Sequence, residues 1–127
     1  MRLLPLLILL SACAGAHPRS SSDTDALAHE LSTRTAGPAQ DCLPPGRTPG
    51  PDIVDARTIV YRERDTLWVN RLDGPCPGLS RHSTLAVEPL AGQICRGTRI
   101  RAIDPGSSMS GPTCVLRAFT PYRKAAQ

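Results

Sequence analysis

Cysteines are the residues whose chemistry and spacing say most about this 127-residue chain. Four of the five, Cys42, Cys76, Cys95 and Cys114, are separated by 34, 19 and 19 residues, and no C-x-x-C pair occurs among them. The three histidines, at positions 17, 29 and 82, fall at no ligand spacing. The pattern therefore favours two disulfide bonds over a zinc site, and we expect neither a metal nor a cofactor.

Other polar clusters lack the pattern of a catalytic site. His82 and Ser83, with Asp73 nearby, suggest nucleophilic chemistry, but the sequence has no G-x-S-x-G elbow. The segment GSSMSG, residues 106–111, lacks the lysine of a phosphate-binding loop and does not lead into a helix. An EF-hand calcium loop would need a spacing different from that of Asp52, Asp55 and Asp65. We expect no catalytic residue and a protein that is not an enzyme.

The first twelve residues read as a secretory signal. A single charge at Arg2 precedes an apolar run from Leu3 to Leu10, and two small residues follow. A membrane-spanning helix needs about 20 apolar residues, and this run is less than half as long. Residues 1–12 are therefore predicted to direct export and not to span the membrane.

The four residues Leu10-Ser11-Ala12-Cys13 resemble the lipobox of bacterial lipoproteins. The resemblance implies that the Cys13 thiol is joined to a diacylglycerol, that cleavage precedes it and that its new amine is acylated. Each buried methylene of such chains contributes about 0.8 kcal/mol, so several chains would hold the protein firmly. Ala14, in the position after the cysteine, implies the outer membrane, facing the periplasm. The alternative is an ordinary signal peptide cut after AGA, which ends at Ala16.

Arginines form the main candidate for a binding surface. The formal net charge is +4, and 14 of the 15 basic residues are arginine. The strongest group is Arg96, Arg99 and Arg101. We expect Arg62, Arg64 and Arg117 to join it across neighbouring strands. Lipid phosphates and acidic polymers are the anions available near an outer membrane. The alternative is a solvated face that only protects a sheet edge from aggregation. Nucleic acid is disfavoured by export and by the lack of interleaved aromatic residues.

The composition divides the mature chain into two parts. Residues 13–40 are rich in Ala, Ser, Thr, Gly and Pro, and they are predicted to be a lipidated flexible tether that contains a short helix over DTDALAHEL. Such a coil spans about 30 Å. Residues 41–127 contain four cysteines and are predicted to be the folded domain.

Runs of β-branched residues separated by turns predict an all-β domain. A hairpin is expected from Ile53–Arg62 and Thr66–Leu72, with further strands in STLAVEPL, Ile94–Asp104 and Cys114–Phe119. Ile100 and Ala102 are expected to point inward, and Arg99 and Arg101 outward. The spacing favours a small antiparallel barrel or sandwich of about five strands, similar to SH3 or OB barrels and stapled by disulfides.

Strand geometry reduces the three possible disulfide pairings to two. In an antiparallel hairpin of the last two strands, Cys95 and Cys114 lie at opposite ends, beyond the ~7 Å that a disulfide allows between Cα atoms. Of the two pairings left, we prefer Cys42–Cys114 with Cys76–Cys95, because a bond between Cys42 and Cys114 would join the two chain ends of the domain. The pairing Cys42–Cys95 with Cys76–Cys114 stays open.

From Cys42 onward the chain resembles a family of small exported proteobacterial proteins known as a domain of unknown function. The motifs that carry the resemblance are DCLPPGR, IVDARTIVYR, CPGLSR, ICRGTRIRAI and CVLRAFTPY, which cover nearly all of residues 41–123. The family's recurring pattern would map onto Cys76–Leu79, Cys95 and Cys114–Pro121, with a departure at Gly97-Thr98. The resemblance implies a fold unit and no particular activity.

These observations favour a membrane-anchored lipoprotein of the bacterial cell envelope that acts as a non-catalytic binding or structural module. Its partners would be the membrane, through the acyl chains, and an anionic envelope component or another protein. The alternative is an inhibitor of a secreted hydrolase such as lysozyme. The segment SMSGP, residues 108–112, resembles the Ser-Gly insertion loop of small barrel lipoproteins that block lysozyme, without its aromatic partner.

Overall fold

The computed structural model describes residues 20–46 and 50–125. The predicted signal peptide, residues 1–12, and the predicted lipidation site, Cys13, lie outside these ranges. The described chain contains one helix and eight strands. They are α1 (Ser20–Ser32), β1 (Arg34–Ala36), β2 (Asp52–Asp55), β3 (Thr58–Glu63), β4 (Thr66–Arg71), β5 (Thr84–Glu88), β6 (Arg99–Ile103), β7 (Cys114–Val115) and β8 (Phe119–Lys124).

The strands form two antiparallel sheets, which confirms the all-β prediction. The large sheet has the order β1-β8-β4-β3-β2, and the small sheet has the order β5-β6-β7. Two sheets around one core are consistent with the predicted barrel or sandwich. The described strands are more numerous than the five or so expected, because two of the predicted strands divide and β1 precedes the predicted domain.

Each division has a local cause. The run from Ile53 to Arg62 turns at Ala56-Arg57, where the Asp55 side chain accepts a hydrogen bond of 2.8 Å from the Arg57 amide. The run from Cys114 to Phe119 crosses from the small sheet to the large one. Buried Asn70 holds this crossing, because its amide donates to the Arg117 carbonyl at 2.6 Å and accepts from the Arg117 amide at 3.0 Å.

The main core lies between the two sheets. The large sheet contributes Ile59, Tyr61 and Trp68, and the small sheet contributes Ile100 and Ala102, so the inward prediction for the last two is confirmed. Phe119 is fully buried, and its ring meets that of Tyr61 edge to face at 6.1 Å between centroids. Burying each large apolar side chain contributes about 1.5–3 kcal/mol.

A second apolar cluster covers the other face of the large sheet. Leu27 of α1 is only 6% exposed and packs with Val60, Leu67 and Val69, the residues that alternate with the main-core positions of β3 and β4. The short helix predicted over DTDALAHEL is thus present as α1, and at 13 residues it is longer than the predicted segment.

The expected domain boundary at residue 41 is wrong. Beyond the helix, β1 pairs with β8 through Arg34 and Lys124, and Gln40 forms a bridge with Phe119. Residues 20–40 thus belong to the folded domain and do not form a tether. The reason is the apolar second face of β3 and β4, which would be exposed to water without a covering element.

The preferred disulfide pairing, Cys42–Cys114 with Cys76–Cys95, is also wrong. The bonds are Cys42–Cys95 and Cys76–Cys114, with Cα atoms 3.9 and 6.0 Å apart. The exclusion of Cys95–Cys114 is confirmed. The segment around Cys42 runs antiparallel to the segment around Cys95, and the Leu43 amide donates to the Ile94 carbonyl at 2.9 Å. This pairing of the two segments places Cys42 beside Cys95. In the loop-entropy model each closure contributes about 4 kcal/mol, and the two are not additive because the loops overlap.

The pairing makes a prediction for a tryptic digest without reduction. Cleavage after arginine places each of the four cysteines in its own peptide, residues 35–47, 72–81, 82–96 and 102–117. We expect the first peptide linked to the third, and the second linked to the fourth, by mass spectrometry. A 35–47 peptide linked to 102–117 would contradict the structure and restore the rejected pairing.

The packing of α1 makes a stability prediction. Leu27→Ala removes the side chain that covers the second cluster, and we expect a loss of about 2–4 kcal/mol in the free energy of unfolding. The matched control is Leu90→Ala, because Leu90 is 63% exposed, and its effect should stay within about 0.5 kcal/mol. Equal effects of the two variants in urea denaturation would show that residues 20–40 are not part of the cooperative fold.

Candidate functional site

Two of the predicted arginines lie together on the outer face of the small sheet. Arg99 and Arg101 alternate with the buried residues of β6, so both point away from the core as predicted. Both pair with Glu88 on β5, at 3.0 Å from Arg99 and 2.6 Å from Arg101. We call these three residues the arginine face. One carboxylate opposes two guanidinium groups, so the face keeps an excess positive charge.

Arg96 lies on the turn before β6, close to the Cys42–Cys95 disulfide. Its backbone amide donates to the Asp41 carbonyl, and its side chain is exposed. Within residues 20–46 and 50–125, Arg96 makes no ion pair. Arg96 and the arginine face therefore present exposed guanidinium groups that suit weak, salt-sensitive anion binding.

Only part of the wider arginine group lies near Arg99 and Arg101. Arg117 follows Leu116, whose amide donates to the Thr98 carbonyl at 3.0 Å beside the start of β6, but Asp73 pairs with Arg117 at 3.1 Å. Arg62 lies on β3 in the large sheet, and Arg64 occupies the β3–β4 turn. The expectation that Arg62 and Arg64 join Arg99 and Arg101 across neighbouring strands is wrong. The physical reason is that β3 and β6 belong to different sheets.

Arg62 organises a different cluster, in a groove between α1 and the large sheet. Its guanidinium makes two hydrogen bonds to the Glu30 carboxylate, at 2.8 and 3.1 Å, and one to Asp52 at 2.7 Å. These bonds raise the pKa of Arg62 above its usual value. At the other end of the helix, Arg81 pairs with Asp23 at 3.1 Å. The groove is an open pocket of about 410 Å³.

The sequence did not lead us to expect this cluster, although the spacing of two acidic residues on α1 is a signal for part of it. Asp23 and Glu30 are seven residues apart, which places them on one face of a helix. Arg62 and Arg81 have no such local spacing, so only the tertiary fold brings them to that face. Because each guanidinium already faces a carboxylate, the cluster joins α1 to the domain and offers little free charge to a ligand.

The remaining candidate groups take structural positions. The Ser83 hydroxyl donates to the Gly78 carbonyl at 2.7 Å and belongs to the turn, while Asp73 is engaged by Arg117. The Asp104 carboxylate accepts hydrogen bonds of 2.8 Å from the Gly106 and Ser107 amides, which lowers its pKa. No group of His, Cys, Asp or Glu side chains suited to a metal ion occurs among the described residues.

Two buried polar atoms in the main core lack a hydrogen-bond partner among the residues that the structure describes. They are the Tyr61 hydroxyl and the Trp68 indole nitrogen, which lie on directly opposed residues of β3 and β4. Burial raises the pKa of Tyr61 to about 12, so its phenol stays neutral at physiological pH. The core thus carries unpaired polar groups that reduce its net stability.

Comparisons with known proteins gave no match to a protein-family model, a curated protein or a solved structure. Across the part of the chain with described coordinates, no helix has the length and apolar character needed to cross a bilayer.

The Glu30–Arg62 pair predicts a pH dependence of stability. The hydrogen bond from Arg62 and the charges of Arg62 and Arg34 hold the pKa of Glu30 below its ordinary value. A lowered pKa in the folded state means that the stabilisation is complete above the unfolded-state pKa and is lost as pH falls through the folded-state pKa.

The test compares the wild type with Glu30→Gln. We expect the wild type to be more stable near pH 7, by about 1 kcal/mol or less for a partly exposed pair. The difference should shrink as pH falls below about 4.3, measured by urea denaturation. The control is Glu63→Gln on the same sheet. A pH-independent difference between wild type and Glu30→Gln would contradict the assignment.

Proposed function

We propose that the protein is a membrane-anchored lipoprotein of the bacterial cell envelope and that its folded part is a non-catalytic binding or structural module. The lipobox-like segment ending at Cys13 supplies the proposed anchor. The two disulfides support an oxidising compartment, where such bonds persist. The proposal also includes export of the protein and its anchoring at the outer membrane, where it would face the periplasm.

The observation that carries this proposal is the short stretch of sequence between Cys13 and the first helix that the structure describes. Helix α1 begins at Ser20, seven residues after Cys13. Seven residues extend over at most about 25 Å even when fully stretched. An acylated Cys13 would therefore hold the domain against the bilayer, whereas the coil expected from the sequence allowed a larger separation.

The arginine face supports a binding role for the module. Arg99 is 68% exposed at its side chain, and Arg101 is 43% exposed, while both share the single carboxylate of Glu88. An acidic component of the envelope is the ligand class that suits this excess charge. Such binding would weaken with salt, because the guanidinium groups are in contact with solvent.

The anchor is tested on protein purified from bacterial membranes in detergent. We expect an N-terminal peptide that starts at Cys13 and carries the mass of a diacylglyceryl group and an amide-linked acyl chain. The protein should float with vesicles in a density gradient, and Cys13→Ser should stay in the soluble fraction. A wild-type chain that begins after Ala16, without lipid mass, would overturn the proposal.

A second candidate function is inhibition of a secreted hydrolase, and one observation favours it. The segment 104–111 is a fixed loop, because Asp104 binds two of its amides, and the Met109 side chain at its tip is 71% exposed. A rigid loop with an exposed apolar tip suits insertion into a cleft. The test is gel filtration with lysozyme, where a stoichiometric complex that Met109→Asp abolishes would support inhibition.

A further inference from the structure

We propose that the loop of residues 104–111, the Met109 loop, touches the lipid bilayer and places the Met109 side chain among the lipid headgroups. This inference rests on the proposed anchor at Cys13, and it adds which end of the domain faces the membrane. Three observations carry it: where the chain enters the fold, which loops share that end, and the chemistry of the loop.

Among the described residues, those at the N-terminal end of α1 are nearest in sequence to Cys13. Asp23, in the first turn of the helix, pairs with Arg81 at 3.1 Å. Because a helix rises 1.5 Å per residue, Ser20 lies within about 5 Å of Asp23 along the axis. The beginning of α1 and the loop around Arg81 therefore form one end of the domain, and the short chain from Cys13 joins it there.

The Met109 loop lies at the same end. Strand β5 begins at Thr84, shortly after Arg81 in the sequence. Thr84 is the ladder partner of Ile103, the last residue of β6. The loop begins at the next residue, Asp104, whose amide donates to the Met109 carbonyl at 3.0 Å. The strand register thus brings the Arg81 loop and the start of the Met109 loop to the same end of the small sheet, and the Asp23–Arg81 pair links this end to the first turn of α1.

The chemistry of the loop suits the lipid interface. Residues 105–113 contain no charged side chain, and Met109 between its serines is 71% exposed. The one carboxylate of the loop, on Asp104, is turned to the loop's own amides. An unbranched apolar side chain among the uncharged residues 105–111 can enter the headgroup region while the Asp104 carboxylate stays at the base of the loop.

The other exposed large apolar residues of the part of the chain that the structure describes, Leu90 and Val115, lie at the opposite end of the small sheet. Val115 is the ladder partner of Arg99, and Leu90 follows Glu88 at the end of β5. The four residue steps from Thr84 to Glu88 correspond to about 14 Å. With the Met109 end on the bilayer, the arginine face extends away from the lipid, where it is open to another envelope component.

The test uses the full acylated chain in vesicles of phosphatidylethanolamine and phosphatidylglycerol with brominated acyl chains, which quench nearby indoles. Met109→Trp places an indole on the loop, and Leu90→Trp places one at the opposite end on a site of similar exposure. The wild type gives the background from buried Trp68. We expect the emission that Met109→Trp adds to be lost in brominated vesicles and that of Leu90→Trp to be kept.

The outcomes separate this inference from the anchor on which it rests. Flotation of both variants with quenching in Met109→Trp alone supports the inference. Flotation without quenching in Met109→Trp, or with equal quenching in Leu90→Trp, overturns it and leaves the anchor in place. Failure to float overturns both. If the loop indole of Met109→Trp is unquenched by lipid but changes its emission when lysozyme is added, the loop is assigned to a protein partner instead.

Discussion

The burial of β3 and β4 on both faces is the constraint on which the rest of the fold depends. Ile59 and Tyr61 face the small sheet, while Val60 between them faces α1. If only one face of the large sheet were covered, Val60, Leu67 and Val69 would be exposed to water. Leu27 of α1 covers these three side chains, and the ion pairs of Glu30 and Asp23 hold the helix against this face of the large sheet. Because the helix is required, the folded domain includes a segment whose composition resembles a linker.

The sequence predicts the facing of side chains where polar and apolar residues alternate. Where the apolar run is continuous, it predicts the strand but not the element that covers the second face of that strand. In β6, arginines alternate with Ile100 and Ala102, and both faces were assigned correctly. In TIVY and LWV the apolar residues are continuous, which is the pattern of a strand buried on both sides. The disulfide pairing could not be deduced, because it depends on the antiparallel contact between Cys42 and Cys95, which no local pattern specifies.

The same limit applies to the candidate site. The outward direction of Arg99 and Arg101 follows from strand alternation, but their shared partner Glu88 depends on the pairing of β5 with β6. Arg62 belongs to a neutralised cluster on the other sheet, beside α1. Counting arginines therefore overestimates the free positive charge, because the carboxylates that neutralise them are distant in sequence.

The two disulfide loops overlap, and this has a consequence for proteolysis. One loop runs from Cys42 to Cys95 and the other from Cys76 to Cys114, so every peptide bond between residues 42 and 114 lies inside at least one of them. A protease that cuts once anywhere in this range, in the Met109 loop for example, leaves the two fragments covalently joined. A molecule nicked in this range stays connected to its N-terminal segment, so a single cut between Cys42 and Cys114 cannot separate the domain from that segment.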